Sequence, residues 1–198
     1  MKKDKTLVAF FVTGNVHKFQ EARDILSKFD IATAMLNIEA VEIQDDDLKN
    51  IAITSASDAA KKSGLPVFVE DAGLFIKALN GFPGPYSNYV YRTIGTKGVL
   101  KSMEEIKQRD AYFQSVVAFW NPEEKAEPLC FDGKIDGKIT YEERGEWGFG
   151  FDPIFEPSEV KKSETFAQMT TEEKNKYSHR ACALRKFAKW YVSLLAKI

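Results

Sequence analysis

The sequence predicts an α/β fold with a mixed central β-sheet flanked by helices. Two observations predict this class. Apolar, β-rich runs alternate with segments of helical periodicity along the first half of the chain, which is typical of parallel strands joined by helices. Two strand patterns around residues 111–141 follow each other with no helical pattern between them, which indicates an antiparallel pair and therefore a mixed sheet.

The composition is that of an ordinary globular protein, with 44% hydrophobic and 29% charged residues among 198. This length suits one domain over residues 1–198, and no apolar run approaches the ~18 residues that a membrane-spanning helix needs. The 28 basic and 29 acidic residues leave a net charge of −1, so no broad positive field is available for nucleic acid. We therefore expect neither a nucleic-acid partner nor a membrane partner.

The first residues and the cysteines indicate a cytoplasmic protein without structural cross-links. The apolar stretch after the first lysines is too short for a signal peptide and ends in a turn instead of a cleavage site. The two cysteines, Cys130 and Cys182, form no CxxC pair, so neither a disulfide framework nor a zinc ribbon is expected.

The first half of the chain is predicted to alternate strands and helices. Thr6–Val12 is an almost unbroken apolar run typical of a buried central strand, and residues 17–29 carry apolar side chains at helical spacing. Three further elements follow: a strand over Ile31–Ile38, a helix over Asp47–Lys62, and a short buried strand over 66–71 that ends near a turn at Gly73.

The second half is predicted to contain helices, strands and a closing helix. Residues 86–103 favour two helical pieces, and residues 111–120 favour a strand. Residues 130–143 indicate further strands, interrupted by turns at two Asp-Gly pairs. Thr170, Thr171 and Glu173 make a capping-box pattern, and residues 183–198 carry the apolar stripe of a final helix.

The segment Thr13-Gly14-Asn15 ends the first strand and opens the first helix. Free backbone N–H groups and the helix dipole favour an anion at such a point, and Lys18 lies one turn further along. A phosphate group fits this arrangement. The alternative is structural, with a turn at Gly14 and a helix cap at Asn15.

Carboxylates at predicted strand ends form a second candidate site. Glu42, Glu70 and Asp71 occupy such positions, where burial is costly without a cation, and Mg²⁺ accepts one or two carboxylates together with phosphate oxygens. Glu70 and Asp71 point in opposite directions if both lie on the strand, and Asp71 is the preferred candidate. The acidic run Asp45–Asp47 is interpreted as a solvated helix start.

Residues 145–153 alternate glycines with aromatic side chains. Glycines let the backbone approach a flat ligand while a ring stacks on it. The alternative is one face of a core strand formed by Trp147, Phe149 and Phe151, although the glycines between them argue against an ordinary strand.

A basic segment precedes the final helix. Ser178 is placed to cap that helix, whereas His179 and Arg180 oppose the helix dipole unless an anion or a ligand acceptor lies nearby. From residue 158 onward there are nine Lys or Arg against four Asp or Glu, so this part carries +5 while the front of the chain holds the acidic cluster. Such opposed charges suit a metal-bound triphosphate.

Six ordered segments together resemble the inosine triphosphate pyrophosphatase family over nearly the whole chain. They are TGNVHK, VEIQ, VEDAGLFIKALNGFPGPYS, GFGFDPIF, TFAQM and EKNKYSHRACAL. The resemblance implies hydrolysis of ITP, dITP and XTP to the nucleoside monophosphate and pyrophosphate, with Mg²⁺ as cofactor. The fold is then expected to have two lobes with an active-site cleft between them.

The family pattern also implies a role for each matching residue. Asp71 takes the place of the catalytic carboxylate, which orients and deprotonates water, and Glu42 and Asp71 bind the metal. The implied substrate-binding residues are Thr13, Asn15 and Lys18 on the triphosphate, Phe149 stacked on the purine, Asp152 on base or sugar, and Lys174, Ser178, His179 and Arg180 around base and phosphate.

Two positions depart from the family pattern. Ala72 stands where many members have serine or threonine, and Ser55 stands where many carry a lysine. Two other functions stay open: a pyrophosphatase related to septum-formation inhibitors that acts on modified pyrimidine nucleotides, and a regulatory module that binds nucleotide without turnover. The family resemblance also implies a homodimer, for which Tyr86, Tyr89 and Tyr91 are candidate interface residues.

Overall fold

The computed structural model describes residues 7–124, 126–160 and 162–195, and its strands form one mixed sheet. The strand order is β2-β1-β3-β5-β6-β7, with β4 paired to β3. The strands are β1 (Leu7–Val12), β2 (Ile31–Leu36), β3 (Val67–Ile76), β4 (Pro83–Gly84), β5 (Asp110–Trp120), β6 (Leu129–Ile139) and β7 (Phe155–Pro157).

The described part of the chain contains six α-helices beside the sheet. They are α1 (Val16–Ser27), α2 (Leu48–Ser63), α3 (Ser87–Thr93), α4 (Gly95–Ser102), α5 (Thr171–Tyr177) and α6 (His179–Leu195). The final helix begins at His179, directly after the predicted cap Ser178 and four residues before the predicted apolar stripe over 183–198. The predicted positions Thr6 and 196–198 lie outside the described residues. None of the described helices is long and apolar enough to cross a membrane.

The pairing directions confirm the predicted mixed α/β class. Strand β1 runs parallel to β2, from Leu7 opposite Ile31 to Val12 opposite Leu36, and it also runs parallel to β3. The pairs β3–β4 and β6–β7 are antiparallel. Helices α1 and α2 connect the parallel strands, as parallel crossover connections require.

Strand β3 is longer than the sequence predicts. The predicted strand over 66–71 is confirmed, but the predicted turn at Gly73 is wrong, because β3 continues through Gly73 to Ile76. A Cβ atom at Gly73 would lie 2.3 Å from the carbonyl oxygen of Gly84 on the paired strand β4. The glycine therefore marks a close approach of two strands inside the sheet.

The turns predicted at the two Asp-Gly pairs are also wrong. Both pairs lie inside β6, which is continuous from Leu129 to Ile139. Gly137 pairs with Pro157 of β7, and a Cβ atom there would lie 2.4 Å from the carbonyl oxygen of Glu156. This glycine again permits a close strand approach.

The chain divides into two compact units, each with its own apolar core. Unit 1 comprises Met1–Asp71, Val116–Asp132 and Ala181–Ile198, and unit 2 comprises Ala72–Ser115 and Gly133–Arg180. The core of unit 1 contains a stack of Phe11 on Phe68, with ring centroids 4.5 Å apart, and Phe68 also contacts Phe187 of α6.

Unit 2 has an aromatic core formed by residues of β5, β7 and the segment before α5. Phe113 packs edge-on against Phe155, with centroids 4.7 Å apart, and Phe155 also contacts Phe166. Beside β7, Glu156 forms ion pairs with Lys138 and Arg144. Burial opposes the charged form of Glu156, but its two basic partners outweigh burial and hold its pKa below the ordinary value.

Local capping explains several helix starts. Asp47 caps α2 by accepting the Lys49 N–H at 2.9 Å, which confirms the interpretation of the acidic run as a helix start. Thr170 and Glu173 form the predicted capping box of α5. Thr170 stabilises the Glu173 carboxylate by hydrogen bonds that lower its pKa.

Candidate functional site

In unit 1, an ion pair fixes the lysine predicted to bind triphosphate. Lys18 Nζ lies 3.0 Å from Glu70 Oε2 and donates to the Glu70 backbone oxygen at 3.2 Å. The Glu70 side chain is fully buried, whereas Lys18 keeps 19% of its side chain exposed. A buried carboxylate needs such a cationic partner, and the pair holds the ammonium group at the end of β1.

The Thr13–Asn15 turn is organised by its own side chains. Thr13 Oγ1 accepts the Asn15 N–H at 3.1 Å, and Asn15 Oδ1 accepts the Lys18 N–H at 3.1 Å. Asn15 therefore caps α1, as the structural alternative expects. Because this network brings Thr13, Asn15 and Lys18 together at a helix start, it is also compatible with anion binding.

Asp71 follows Glu70 within strand β3. Successive side chains of a strand point to opposite faces, so Asp71 is directed away from the face on which Glu70 pairs with Lys18. Asp71 is half-buried, whereas Glu70 is buried. The strand continues beyond Asp71, at which the sequence predicts it to end.

Glu42 lies in the loop between β2 and α2 and is exposed. The residue before it, Val41, is held at both of its backbone polar groups. The Val41 N–H donates to Asp58 Oδ2 at 2.9 Å, and the Val41 carbonyl accepts the Ser55 hydroxyl at 2.9 Å. The hydrogen bond from the Lys62 ammonium group, together with that from the Val41 N–H, lowers the pKa of the Asp58 carboxyl.

Two carboxylates of unit 1, those of Glu42 and Asp71, are the predicted metal ligands. Within the described ranges, no group of three His, Cys, Asp or Glu side chains is arranged to hold a metal by itself. Mg²⁺ keeps several waters and commonly binds one or two carboxylates plus phosphate oxygens. The exposed Glu42 and the half-buried Asp71 supply carboxylates of this kind.

Unit 2 contains a second cluster, built around a buried ion pair. Lys174 Nζ lies 2.6 Å from Asp152 Oδ2, and the two side chains are only 3% and 4% exposed. The same Asp152 oxygen accepts the Phe149 N–H at 2.9 Å. Lys174 Nζ and Arg180 Cζ lie 4.8 Å and 5.4 Å from the centroid of the Phe149 ring. The Asp152 carboxylate thus positions both the backbone that carries the Phe149 ring and the adjacent ammonium group of Lys174.

Glycines form the turn that carries Phe149. Residues 145–151 form no strand, so the core-strand alternative is wrong. Gly145, Gly148 and Gly150 have positive φ, and a Cβ atom at Gly148 would lie 2.2 Å from Asp152 Oδ2. The turn can therefore close around Asp152 only with glycine at position 148.

The remaining predicted residues of unit 2 are buried at the start of α6. Ser178 lies immediately before this helix, and Ser178, His179 and Arg180 are between 0% and 3% exposed. The His179 ring stacks on Phe113, with centroids 4.6 Å apart and planes inclined by 9°. This stacking fixes the His179 ring nearly parallel to the Phe113 ring, and the imidazole can therefore donate or accept hydrogen bonds only in that plane.

Three residues that organise these clusters have roles that the sequence does not predict. Glu70 is among the carboxylates at predicted strand ends, but the sequence favours Asp71 there, and the ion pair of Glu70 with Lys18 follows from the fold. Phe113 beneath His179 has no local sequence signal, because the two residues are distant in the chain. Asp58 belongs to the polar pattern of α2, and its contact with Val41 follows from the fold and not from that pattern.

Comparison with known proteins supports the predicted relationship. A family model described as the Ham1 family matches residues 9–190. A dITP/XTP pyrophosphatase of Methanopyrus kandleri is 48% identical over 186 residues, which are 94% of this chain and 97% of that protein. The dITP/XTP pyrophosphatase of Methanosarcina mazei is 48% identical over 182 residues, with 92% of this chain and 96% of that protein covered.

Solved structures agree with this relationship. A HAM1 protein from Coxiella burnetii is 30% identical, with a TM-score of 0.82 and coverage of 97% of this chain and 100% of that chain. The Ham1 protein of Staphylococcus aureus is 26% identical, with a TM-score of 0.78 and coverage of 93% and 98%. The relationship predicted from the ordered motifs is confirmed, and the chain belongs to the Ham1 family.

Proposed function

We propose that this protein hydrolyses the non-canonical purine nucleoside triphosphates ITP, dITP and XTP to the nucleoside monophosphate and pyrophosphate. The observation that carries the proposal is the near full-length similarity to relatives named dITP/XTP pyrophosphatase. The family match extends over residues 9–190, which supports treating residues 1–198 as one pyrophosphatase domain.

The first cluster is proposed to bind the triphosphate. Thr13 and Asn15 shape the start of α1, where the helix dipole favours a negative charge, and Lys18 supplies a full positive charge. Glu70 already holds the Lys18 ammonium in place, so little side-chain entropy is lost when a phosphate binds beside it. Pre-positioning of this kind favours tight binding.

Asp71 is proposed as the general base. It orients a water molecule and accepts its proton while the water oxygen bonds to the α-phosphorus and the bond from that phosphorus to the bridging oxygen breaks. Pyrophosphate leaves with the electron pair of the broken bond. Glu42 and Asp71 would hold Mg²⁺, which when bound offsets negative charge on the phosphate oxygens.

The second cluster is proposed to bind the base. Phe149 provides a ring for stacking, and Asp152 fixes that ring and Lys174 relative to each other. A 6-keto purine presents O6 as an acceptor and N1–H as a donor, whereas adenine reverses both. Arg180 or His179 could donate to O6, which would leave ATP with an unpaired polar contact. Ser178 would complete this pocket at the start of α6.

Two further features are proposed with the activity. A homodimer is supported by the exposure of Tyr86, Tyr89 and Tyr91, at 39%, 62% and 43%. Light scattering after size-exclusion chromatography tests it, because a monomeric mass at micromolar concentration contradicts the dimer. A cytoplasmic location is proposed from the cysteine usage of the sequence, which has two cysteines and no CxxC pair.

The central experiment measures pyrophosphate and phosphate separately. Purified protein with Mg²⁺ is given ITP, XTP, dITP, GTP, ATP or dUTP, and Asp71→Asn is assayed in parallel. We expect pyrophosphate from ITP and XTP, much slower release from ATP, and a loss of about 10²–10⁴-fold in kcat for Asp71→Asn. The thermal midpoint of the variant serves as the folding control.

Five outcomes contradict the proposal or one of its parts. Release of single phosphates excludes a pyrophosphatase, and equal rates on all bases exclude recognition of the 6-keto edge. Preference for dUTP favours an enzyme that acts on pyrimidine nucleotides, and stable binding without turnover favours a regulatory module. Full activity of Asp71→Asn removes Asp71 from the role of base.

A further inference from the structure

The loop that carries Glu42 is attached to the protein by side chains. Residues 37–46 connect β2 to α2, and in the part of the chain that the structure describes they make no hydrogen bond to another backbone group. A loop without backbone bonds has no fixed path unless side chains supply one. The side chains that bind the loop therefore determine where Glu42 is held.

One face of α2 supplies attachments on the N-terminal side of Glu42. Ser55 and Asp58 bind the carbonyl and the N–H of Val41, both at 2.9 Å. Lys62 Nζ donates to the Glu39 carbonyl at 2.8 Å and pairs with Asp58 at 2.7 Å. Positions 55, 58 and 62 are spaced by three and four residues, so they share one helix face.

Asp45 fastens the loop on the other side of Glu42. One of its carboxylate oxygens accepts the Asp47 N–H at 2.7 Å, and the other accepts the Asn50 side-chain amide at 3.1 Å. Glu42 therefore stands between two anchored points, at Val41 and Asp45. Its own side chain is exposed and takes part in neither attachment.

Ser55 is the most buried of the three residues that hold the loop, with 8% exposure. Its hydroxyl is directed to a backbone carbonyl of the Glu42 loop, and a lysine side chain at this position could not reproduce that short contact. Ser55, one of the two departures from the family pattern, thus attaches the loop next to the proposed metal ligand.

We propose that Ser55 and Asp58 are positioning residues that hold Glu42 for magnesium through the two backbone groups of Val41. The inference rests on the proposed function, since it assigns Glu42 to the metal. Partners that orient a metal ligand commonly change metal affinity by about 10–100-fold when they are removed. Ser55 and Asp58 themselves touch neither metal nor substrate in this scheme.

The test uses Ser55→Ala and Asp58→Ala, with Ser63→Ala as the matched control. Ser63 lies on the same helix, and its hydroxyl bonds to the helix carbonyls of Ala59 and Ala60 instead of the loop. We expect the Mg²⁺ concentration for half-maximal activity to rise about tenfold in the first two variants and to stay unchanged in the control. The KM for ITP at saturating Mg²⁺ should stay within about twofold.

Conservative variants separate the hydrogen bonds from other roles. Ser55→Thr keeps the hydroxyl, and Asp58→Asn keeps an acceptor for the Val41 N–H while removing the charge. Both should restore most of the metal affinity. If Asp58→Asn behaves like Asp58→Ala, charge rather than the Val41 hydrogen bond acts on the metal site, and the proposal fails.

Two measurements are independent of turnover. Hydrogen–deuterium exchange of residues 37–47 in the metal-free protein should be faster in Ser55→Ala and Asp58→Ala than in wild type. Mn²⁺ binding, followed by electron paramagnetic resonance with a non-hydrolysable ITP analogue, should weaken about tenfold. Unchanged exchange with an increased KM for ITP would show that Ser55 contacts the substrate, which overturns the inference.

The two proposals can fail separately. Absence of pyrophosphate release by the wild-type protein contradicts the proposed function, whereas the exchange measurement still reports on the loop. An active wild-type protein whose Ser55→Ala and Asp58→Ala variants match Ser63→Ala in metal dependence and in exchange contradicts only the positioning role.

Discussion

Replacing Asp152 by asparagine should destabilise the protein strongly, although it removes only one charge. The Asp152–Lys174 pair has 4% and 3% of its side chains exposed and an Oδ2–Nζ distance of 2.6 Å. Removing one partner of a buried pair leaves the other charge without compensation, which costs about 3–5 kcal/mol. An asparagine oxygen can still accept the Phe149 N–H, so the substitution isolates the charge.

The measurement is the free energy of unfolding in urea, followed by far-UV circular dichroism, with the thermal midpoint as a second reading. For a chain of this size the expected loss lowers the midpoint by roughly 6–20 °C. Asp132→Asn is the matched control, because Asp132 pairs with Lys186 at 3.3 Å with 72% and 55% of the side chains exposed. Such a pair contributes at most about 1 kcal/mol.

A double variant sharpens the comparison. Adding Lys174→Met to Asp152→Asn also removes the buried cation of the pair, so the double variant should be less destabilised than the sum of the two single variants. Equal losses for Asp152→Asn and Asp132→Asn, both below about 1 kcal/mol, would refute the reasoning from burial.

Two other predictions concern the same unit. Gly148→Ala places a Cβ 2.2 Å from Asp152 Oδ2 at a φ of +77°. We therefore expect the free energy of unfolding in urea to fall by about 1–3 kcal/mol. The control is Gly14→Ala, whose Cβ would face open space and should change the stability little. A loss equal to that of Gly14→Ala would contradict the close approach. The lowered pKa of Glu156 means that its ion pairs stabilise the fold fully above its ordinary pKa of 4.5 and that this stabilisation is lost as pH falls through the lowered value. Glu156→Gln should therefore be less stable than wild type at pH 7 by about 1.5–3 kcal/mol, and it should lose less stability than wild type on acidification. Parallel pH profiles of unfolding for the two proteins would disprove the stabilising role of the Glu156 ion pairs.

The sequence predicts those elements of the fold that local patterns determine. The apolar run of β1 and the helical periodicity of α1 are local, and both elements appear within about two residues of their predicted bounds. The extension of β3 through Gly73 could not be predicted, because a glycine reads locally as a breaker and the Gly84 carbonyl that requires it belongs to another strand.

The same distinction applies to the candidate site. Ordered motifs predict the family and name the candidate residues, and the cap at Asn15 follows from local spacing. The contact between Asp152 and Lys174 joins residues separated by 22 positions, and the pairing of Lys18 with Glu70 joins residues separated by 52. Such pairings depend on how the chain folds back, which no local pattern reports.

The division of the chain into two units has a consequence for protein synthesis. Unit 1 is assembled from three separate segments, and its aromatic core includes Phe187 from α6 as well as Phe11 and Phe68. α6 begins at His179, about a hundred residues after β3 ends at Ile76, so a ribosome reaches it roughly 5–20 s later. During that interval the N-terminal strands have been made while part of their core is still untranslated. Nascent chains of this protein should therefore depend on protection from aggregation until their last helix emerges.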